Sequence, residues 1–362
     1  MAPRDHLRIP SLDGLRAISI GLVVLSHLVP CLHLPWPGGL LAVFDLGRLG
    51  VRVFFVISGF LITQLLLDER ARRGAISLPR FYFRRTMRIF PPYYAFLIVM
   101  FLLRGAGAVA APSADFLHAA TYTSNYFPFG WNLGHSWSLS VEEQFYLIWP
   151  ALLIALGPRR WLWGVGAILV LSPVTRLWWP SQTRLDTVAD SLAVGCLLAG
   201  LRDRLIARRP APRLMLSAWT FVLSFAVVTF IELLATRPSV APTWLFNLML
   251  VSVQNALIAL VVHWSILNHD GWIGRVLNSR PLSFIGVISY SIYIWQQPFL
   301  NHFIVSPLTT FPLSLAAVLA CAVVSYYGLE RPALALRRRL EERRAPEPGP
   351  RPAAYSPAGL QR

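Results

Sequence analysis

Residues 12–30 read LDGLRAISIGLVVLSHLVP, an apolar run long enough to cross a bilayer that nevertheless carries Asp13, Arg16 and His27. In an α-helix Arg16 and His27, eleven residues apart, fall within roughly 20° of each other and about 16 Å apart along the axis. Ionisable groups at such depth cost roughly 2.5–3.5 kcal/mol each on insertion scales, and they face a bundle interior or an aqueous cavity. Two of them on one stripe predict a polar path into a membrane.

The composition around that run sets the class. The chain of 362 residues is 55% hydrophobic and only 14% charged, with a mean hydropathy of +0.54. Repeated apolar segments of spanning length predict a polytopic all-α membrane protein folded as one bundle. In order, the predicted helices cover about 12–32, 45–67, 91–104, 138–157, 161–179, 186–201, 213–235, 243–267, 281–300 and 310–330, about ten in all. A basic segment, 68–88, precedes the third. Residues 1–344 read as the membrane domain and 345–362 as a disordered Pro- and Arg-rich tail. Met1–Pro10 is short and polar, and no small-residue cleavage site follows, so the first run reads as a retained helix.

The net charge of +16 comes entirely from arginine, and its location decides its meaning. With the N-terminus inside, the cytoplasmic segments are the N-terminal arm, 68–90, 158–160, 202–213, 268–280 and the tail, with clusters such as Arg4 and Arg8, then Arg70, Arg72, Arg73, Arg80, Arg84, Arg85 and Arg88, then Arg202, Arg204, Arg208, Arg209 and Arg213, then Arg337–Arg339. Arg48, Arg52, Arg104, Arg176, Arg184 and Arg237 fall outside, a bias of roughly four to one in short loops. Both termini are therefore expected on the cytoplasmic side of a multi-pass protein of the cytoplasmic (inner) membrane, and no nucleic-acid partner is needed to explain the charge. Trp36, Tyr122, Tyr126, Trp131, Trp178, Trp179 and Trp244 fit an interfacial belt first, and in the Tyr122–Trp137 loop sugar-face binding is the second reading.

Several motifs interrupt the apolar pattern. FFVISGFLI offers Ser58 and Gly59 for close helix packing. RFYFRRTMRIFPPYY sets Arg85 and Arg88 three apart on one face; they serve topology and, as guanidinium forks, suit phosphate oxygens. HSWSLSVEEQFYLIWP buries Glu142 and Glu143 in an apolar helix, either as ion-pair partners of an arginine or as catalytic or substrate-binding carboxylates. In RLDTVADSLAVG, Asp186 and Asp190 lie one turn apart, toward a hydroxyl-rich ligand or toward Arg184 and Arg176. Glu330 and Arg331 before Pro332 read as an ion pair at a helix break. Cys31, Cys196 and Cys321 are single apolar packing residues, and His33, His118, His135, His263, His269 and His302 lack metal spacing, so no metal site is expected.

In this order, LDGLRAISIGLVVLSH, FFVISGFLI, RRTMRIFPPYY, WSLSVEEQFYLIWP, DTVADSLAVG, ISYSIYIWQQP and LERP resemble the acyltransferase-3 family of integral membrane O-acyltransferases from about Pro10 to Arg339. The resemblance implies transfer of an acyl group, acetyl above all, from cytoplasmic acyl-CoA to a hydroxyl of a sugar-containing acceptor. It implies His27 as the catalytic residue, Arg16 as a further functional and donor-side residue, Arg85 and Arg88 in activity through the CoA phosphates, and Glu143, with Glu142 beside it, as the acidic residue of the fourth-helix motif. Two positions depart from the family pattern. Gln296 stands where relatives often have His, and Val188 where an Arg is common between Asp186 and Asp190. No catalytic role is assigned to Gln296 on this basis. Some relatives carry a fused extracytoplasmic esterase-like domain, for which these residues hold no matching segment.

The chemistry fits the residues independently. Acyl transfer needs a base for the hydroxyl proton, and imidazole, with an ordinary pKa of about 6.5, suits that task. A carboxylate such as Glu143 is expected to orient the ring. Two other classes remain open on residues alone. One is a proton- or solute-coupled transporter using His27 and Glu143, against which stands the lack of an internal repeat. The other is a non-catalytic scaffold of envelope synthesis.

Overall fold

A computed structural model describes residues 9, 11–32, 46–179, 181–207, 217–235 and 243–344. Arg4, Arg8, His33, Trp36, Arg208, Arg209, Arg213, Arg237 and the tail 345–362 lie outside the described residues. Among the described residues every regular element is helical. The principal helices are α1 (Leu12–Cys31), α2 (Gly47–Arg73), α3 (Leu78–Gly105), α4 (Ser113–Ala120), α5 (Ser136–Trp178) and α6 (Leu185–Ala207). They continue with α7 (Ala218–Ala235), α8 (Val251–Leu267), α9 (Arg280–Val287), α10 (Ser289–Phe299), α11 (Leu313–Ser325) and α12 (Arg331–Arg344). Six of the described helical stretches are long and apolar enough to cross a membrane: Leu12–Cys31, Gly47–Arg73, Leu78–Gly105, Trp131–Trp178, Asn247–Leu267 and Leu313–Arg343.

The helix expected at 281–300 is divided at Ile288 into α9 and α10, and three further boundaries differ from expectation, each for a local reason. The basic segment 68–88 is not a connector. It is the end of α2 and the first turns of α3, which Pro79 opens at a position where no amide hydrogen is required. The two helices expected at 138–157 and 161–179 meet with no loop between them, at Gly157, whose φ of 67° suits a residue lacking Cβ. The chain doubles back there. Trp149 and Trp161 have ring centroids 6.2 Å apart, whereas twelve residues of straight helix would separate them by about 18 Å. Finally, the break expected at Pro332 does not occur. A π-helical turn at Tyr326–Glu330 widens the helix just where the proline ring would meet the carbonyl four residues earlier, and α12 continues.

The centre of the bundle is the crossing of α2 and α6, with α1 and α5 packed alongside. Its closeness depends on two glycines. A Cβ on Gly59 would overlap the Leu192 backbone carbonyl, and one on Gly195 would overlap the Val56 carbonyl. The packing reading of Gly59 therefore holds, while Ser58 beside it faces the polar interior instead. Gly59→Ala should push the helices apart at an overpacking cost of about 1–3 kcal/mol. A lower unfolding midpoint in detergent would show it. Gly21→Ala, where nothing lies within 4 Å of the added carbon, is the control and should be neutral or stabilising.

Candidate functional site

Polar residues repeat at 135, just before α5, and at 138, 142 and 146 on it, intervals of three and four that put them on one face. That face looks inward across α1, α2, α3 and α10. At one end the Tyr293 hydroxyl from α10 meets Ser138 Oγ at 2.5 Å and donates to the His135 carbonyl at 3.1 Å. One turn on, Ser58 Oγ from α2 donates to Glu142 Oε1 at 2.7 Å. A further turn on, the Arg85 guanidinium of α3 lies 4.9 Å from the centre of the Tyr146 ring. Arg16 and Arg88 complete this end, within electrostatic reach of each other and of Arg85. A buried carboxylate, Glu330, shares the cluster with Arg88 and Arg16 and accepts from Ser291 Oγ at 3.3 Å.

His27 occupies the other end of α1. Its Nδ1 lies 2.7 Å from Gln296 Oε1, and its ring meets the edge of Trp131 at 5.1 Å. The Gln296 amide nitrogen donates to Gln297 Oε1 at 3.1 Å, which leaves Gln296 Oε1 as the acceptor and assigns the proton to His27 Nδ1. Nε2 then carries the lone pair. The ring lines a cleft of about 460 Å³ walled by Phe129, Trp131, Trp137 and Phe303, with His135 and Arg48 among its polar groups. A second cleft, about 560 Å³, opens at the Arg16 end between Asp13, Arg280, Phe284 and Tyr327. Asp13 and His27 are fourteen residues apart on α1, so the clefts lie about 21 Å apart along its axis.

Of the residues singled out from sequence, Arg16, Arg85, Arg88 and Glu142 therefore gather at one place, and His27 stands at the far end of the same polar face. Glu143 shares Arg85 as an electrostatic neighbour with Glu142 but, among the described residues, makes no hydrogen bond to the cluster. Its electrostatic neighbours include Tyr93, Tyr94 and Tyr122, and its Oε1 is buried without a hydrogen-bond partner among the described residues. Burial and this carboxylate push the Tyr122 phenol above its ordinary range. The place envisaged for Glu143 against the His27 ring belongs to Gln296, the position to which no role was assigned.

Asp186 and Asp190 do not face one ligand. Asp190 is buried and held by both terminal nitrogens of Arg176 at 2.9 Å, while Asp186 pairs with Arg184 at 3.0 Å in a partly exposed position. Arg52, one of the arginines expected on the outer side, is buried and donates to Gln182. Glu330 and Arg331 do not form the expected pair: Arg331 stacks on Tyr327 at 5.6 Å instead. His135 and Glu330, which the sequence marks only as a histidine without metal spacing and as half of an ion pair, join the site together with Tyr293; the spacing of 135, 138, 142 and 146 already puts His135 on the face of Glu142. Among the described residues no group of three or more His, Cys, Asp or Glu side chains is placed to hold a metal ion.

Comparison with known proteins bears on this arrangement. The chain is 30% identical over 366 residues to the "Putative O-acetyltransferase SACOL0978" of Staphylococcus aureus (strain COL), covering 90% of this chain and 57% of that protein. It is 28% identical over 365 residues to the O-acetyltransferase OatA of Staphylococcus aureus (strain NCTC 8325 / PS 47), again 90% of this chain and 57% of the relative. The chain thus spans somewhat over half the length of these curated relatives. No solved structure matches. The family model described as an acyltransferase domain, Acyl_transf_3, matches residues 9–327, which takes in both clefts and the polar face between them: the chain belongs to the acyltransferase-3 family.

Proposed function

We propose that this chain is a multi-pass inner-membrane O-acyltransferase that moves an acetyl group from acetyl-CoA to a hydroxyl of a sugar-containing acceptor. The observation that carries the reading is the His27–Gln296 pair at the rim of an aromatic cleft, joined by one polar face to three arginines at the other end of α1. In this reading His27 Nε2 takes the acceptor proton and Gln296 keeps the ring in the required tautomer. The flat walls of Trp131 and Trp137 suit a pyranose face. Arg16, Arg85 and Arg88 hold the donor's phosphates at the cytoplasmic end, and the second cleft, with Phe284, Tyr327 and Arg280, takes its nucleotide. Glu142 and Glu330 keep so many guanidinium groups tolerable in a membrane interior. The segments from α1 to α12 then make about ten crossings, counting α5 as two, with both termini in the cytoplasm.

Purified protein in nanodiscs, given radiolabelled acetyl-CoA and a panel of sugars, tests the assignment. Label transferred to a sugar is the expected result. Solute flux in proteoliposomes with no acyl transfer would overturn it in favour of a transporter. The donor side has its own test. Arg85→Gln with Arg88→Gln should weaken acetyl-CoA binding by about 10–100-fold, with a shallower dependence on salt, because two charge-assisted phosphate contacts are lost. Unchanged donor affinity in folded double-mutant protein would leave these arginines as topology signals.

A further inference from the structure

The cleft beside His27 contains a second imidazole with unspent hydrogen-bonding capacity. His135 is 3% exposed and lines the cleft, yet neither Nδ1 nor Nε2 has a hydrogen-bond partner among the described residues. Buried polar side chains are nearly always paired, so an orphan of this kind needs an explanation. Its position is not loose. The ring is wedged edge-on against Phe96 at 5.3 Å and Tyr293 at 5.6 Å, and its carbonyl accepts from Tyr293 and from Ser138 Oγ at 3.2 Å. Backbone and ring are thus fixed while both ring nitrogens are left over.

His27 is its electrostatic neighbour and lines the same cleft. The two rings divide the work that acyl transfer requires. His27, with Nδ1–H committed to Gln296, offers a lone pair for the acceptor proton. What that pair does not supply is a donor for the carbonyl oxygen as charge develops on it, and a neutral imidazole carries one N–H that can do so.

We propose that His135 is a catalytic residue whose ring N–H binds the acyl carbonyl oxygen of the donor thioester. The role rests on the acyl-CoA reading above. The acceptor oxygen attacks the carbonyl carbon, forming the new C–O bond while the carbonyl π pair moves onto oxygen, and the hydroxyl proton passes to His27 Nε2. Return of that pair expels the CoA sulfur, which takes the proton back from His27. His135 donates throughout and keeps its proton.

Steady-state kinetics on His135→Phe, His135→Gln and His135→Glu, with acceptor-free hydrolysis of acetyl-CoA measured alongside, test this role. His135→Phe should lower kcat about 100-fold with both KM values within about threefold of wild type, the pattern of an interaction made in the transition state. Its unfolding midpoint should not fall, because the nitrogens removed had no partner. His135→Gln, which keeps an N–H donor, should retain much of the rate, and His135→Glu, isosteric with Gln and assayed at a pH high enough to ionise even a buried carboxyl, only accepts and should not. If the Phe protein fails to fold, the Gln and Glu pair alone decides. Equal rates for Gln and Glu, or a loss confined to the acceptor KM, would overturn the role. A wild type active on acetyl-CoA with an unimpaired His135→Phe variant would overturn it while leaving the acyl-CoA reading intact. A wild type that turns over no acetyl-CoA would overturn both.

Discussion

His27→Ala is expected to slow acetyl transfer by about 10²–10⁴-fold, the range over which a positioned general base contributes. The loss should fall on kcat, since the aromatic walls and the distant arginines proposed to hold the two substrates are untouched. Folding should survive, because the ring is half-buried at the end of α1 and not in the α2–α6 crossing. Gln296→Leu separates the base from its orientation. It leaves the imidazole present but removes the acceptor that fixes the proton on Nδ1, so its kcat should lie between those of wild type and His27→Ala. Radiolabel transfer measured at saturating donor and acceptor distinguishes the two. Undiminished transfer by His27→Ala would move the base elsewhere in the cleft.

The reason one helix pointed to this site in advance is geometric. An eleven-residue spacing returns almost to the same face, so Arg16 and His27 marked both ends of a path before any partner was known. The arginines of α3 and the carboxylates of α5 were legible for a similar reason: charge in an apolar helix requires an interior. The partners were not. Whether Glu143 or Gln296 reaches His27 depends on which helices neighbour α1, and no spacing within one segment carries that information. The same holds for Glu330, which lies on the far side of Pro332 from the basic α12 and looked like part of a helix end. In the structure the π-helical turn turns it into the bundle, toward Arg88. Periodicity also fixed the segments better than their ends. The hydrophobic pattern stops where α2 leaves the apolar region, but the helix runs on through Arg73 until Gly74 ends it.

Asp186 and Asp190, one turn apart and indistinguishable in sequence, should separate sharply on mutation. Arg176 gives both terminal nitrogens to the Asp190 carboxylate at 2.9 Å, and it also donates to the carbonyls of Thr187 at 2.6 Å and Asn247 at 2.7 Å. Both side chains are essentially excluded from solvent, with 1% and 2% exposure. Asp190→Ala would leave a guanidinium buried without its counter-charge, at a cost of about 3–5 kcal/mol. Replacing both partners by apolar residues of similar volume, Arg176→Met with Asp190→Leu, removes the orphan charge along with the pair and should restore most of that loss. Asp186→Ala should cost no more than about 1 kcal/mol, because its pair with Arg184 is roughly one-third exposed on both sides and water replaces the lost contact. Thermal unfolding in detergent reads all three. Equal destabilisation by the two single alanine variants would contradict the burial difference on which the distinction rests. A stable Asp186→Ala protein with reduced transfer would instead return Asp186 to the ligand reading, since its carboxylate, unlike that of Asp190, is accessible enough to meet a hydroxyl.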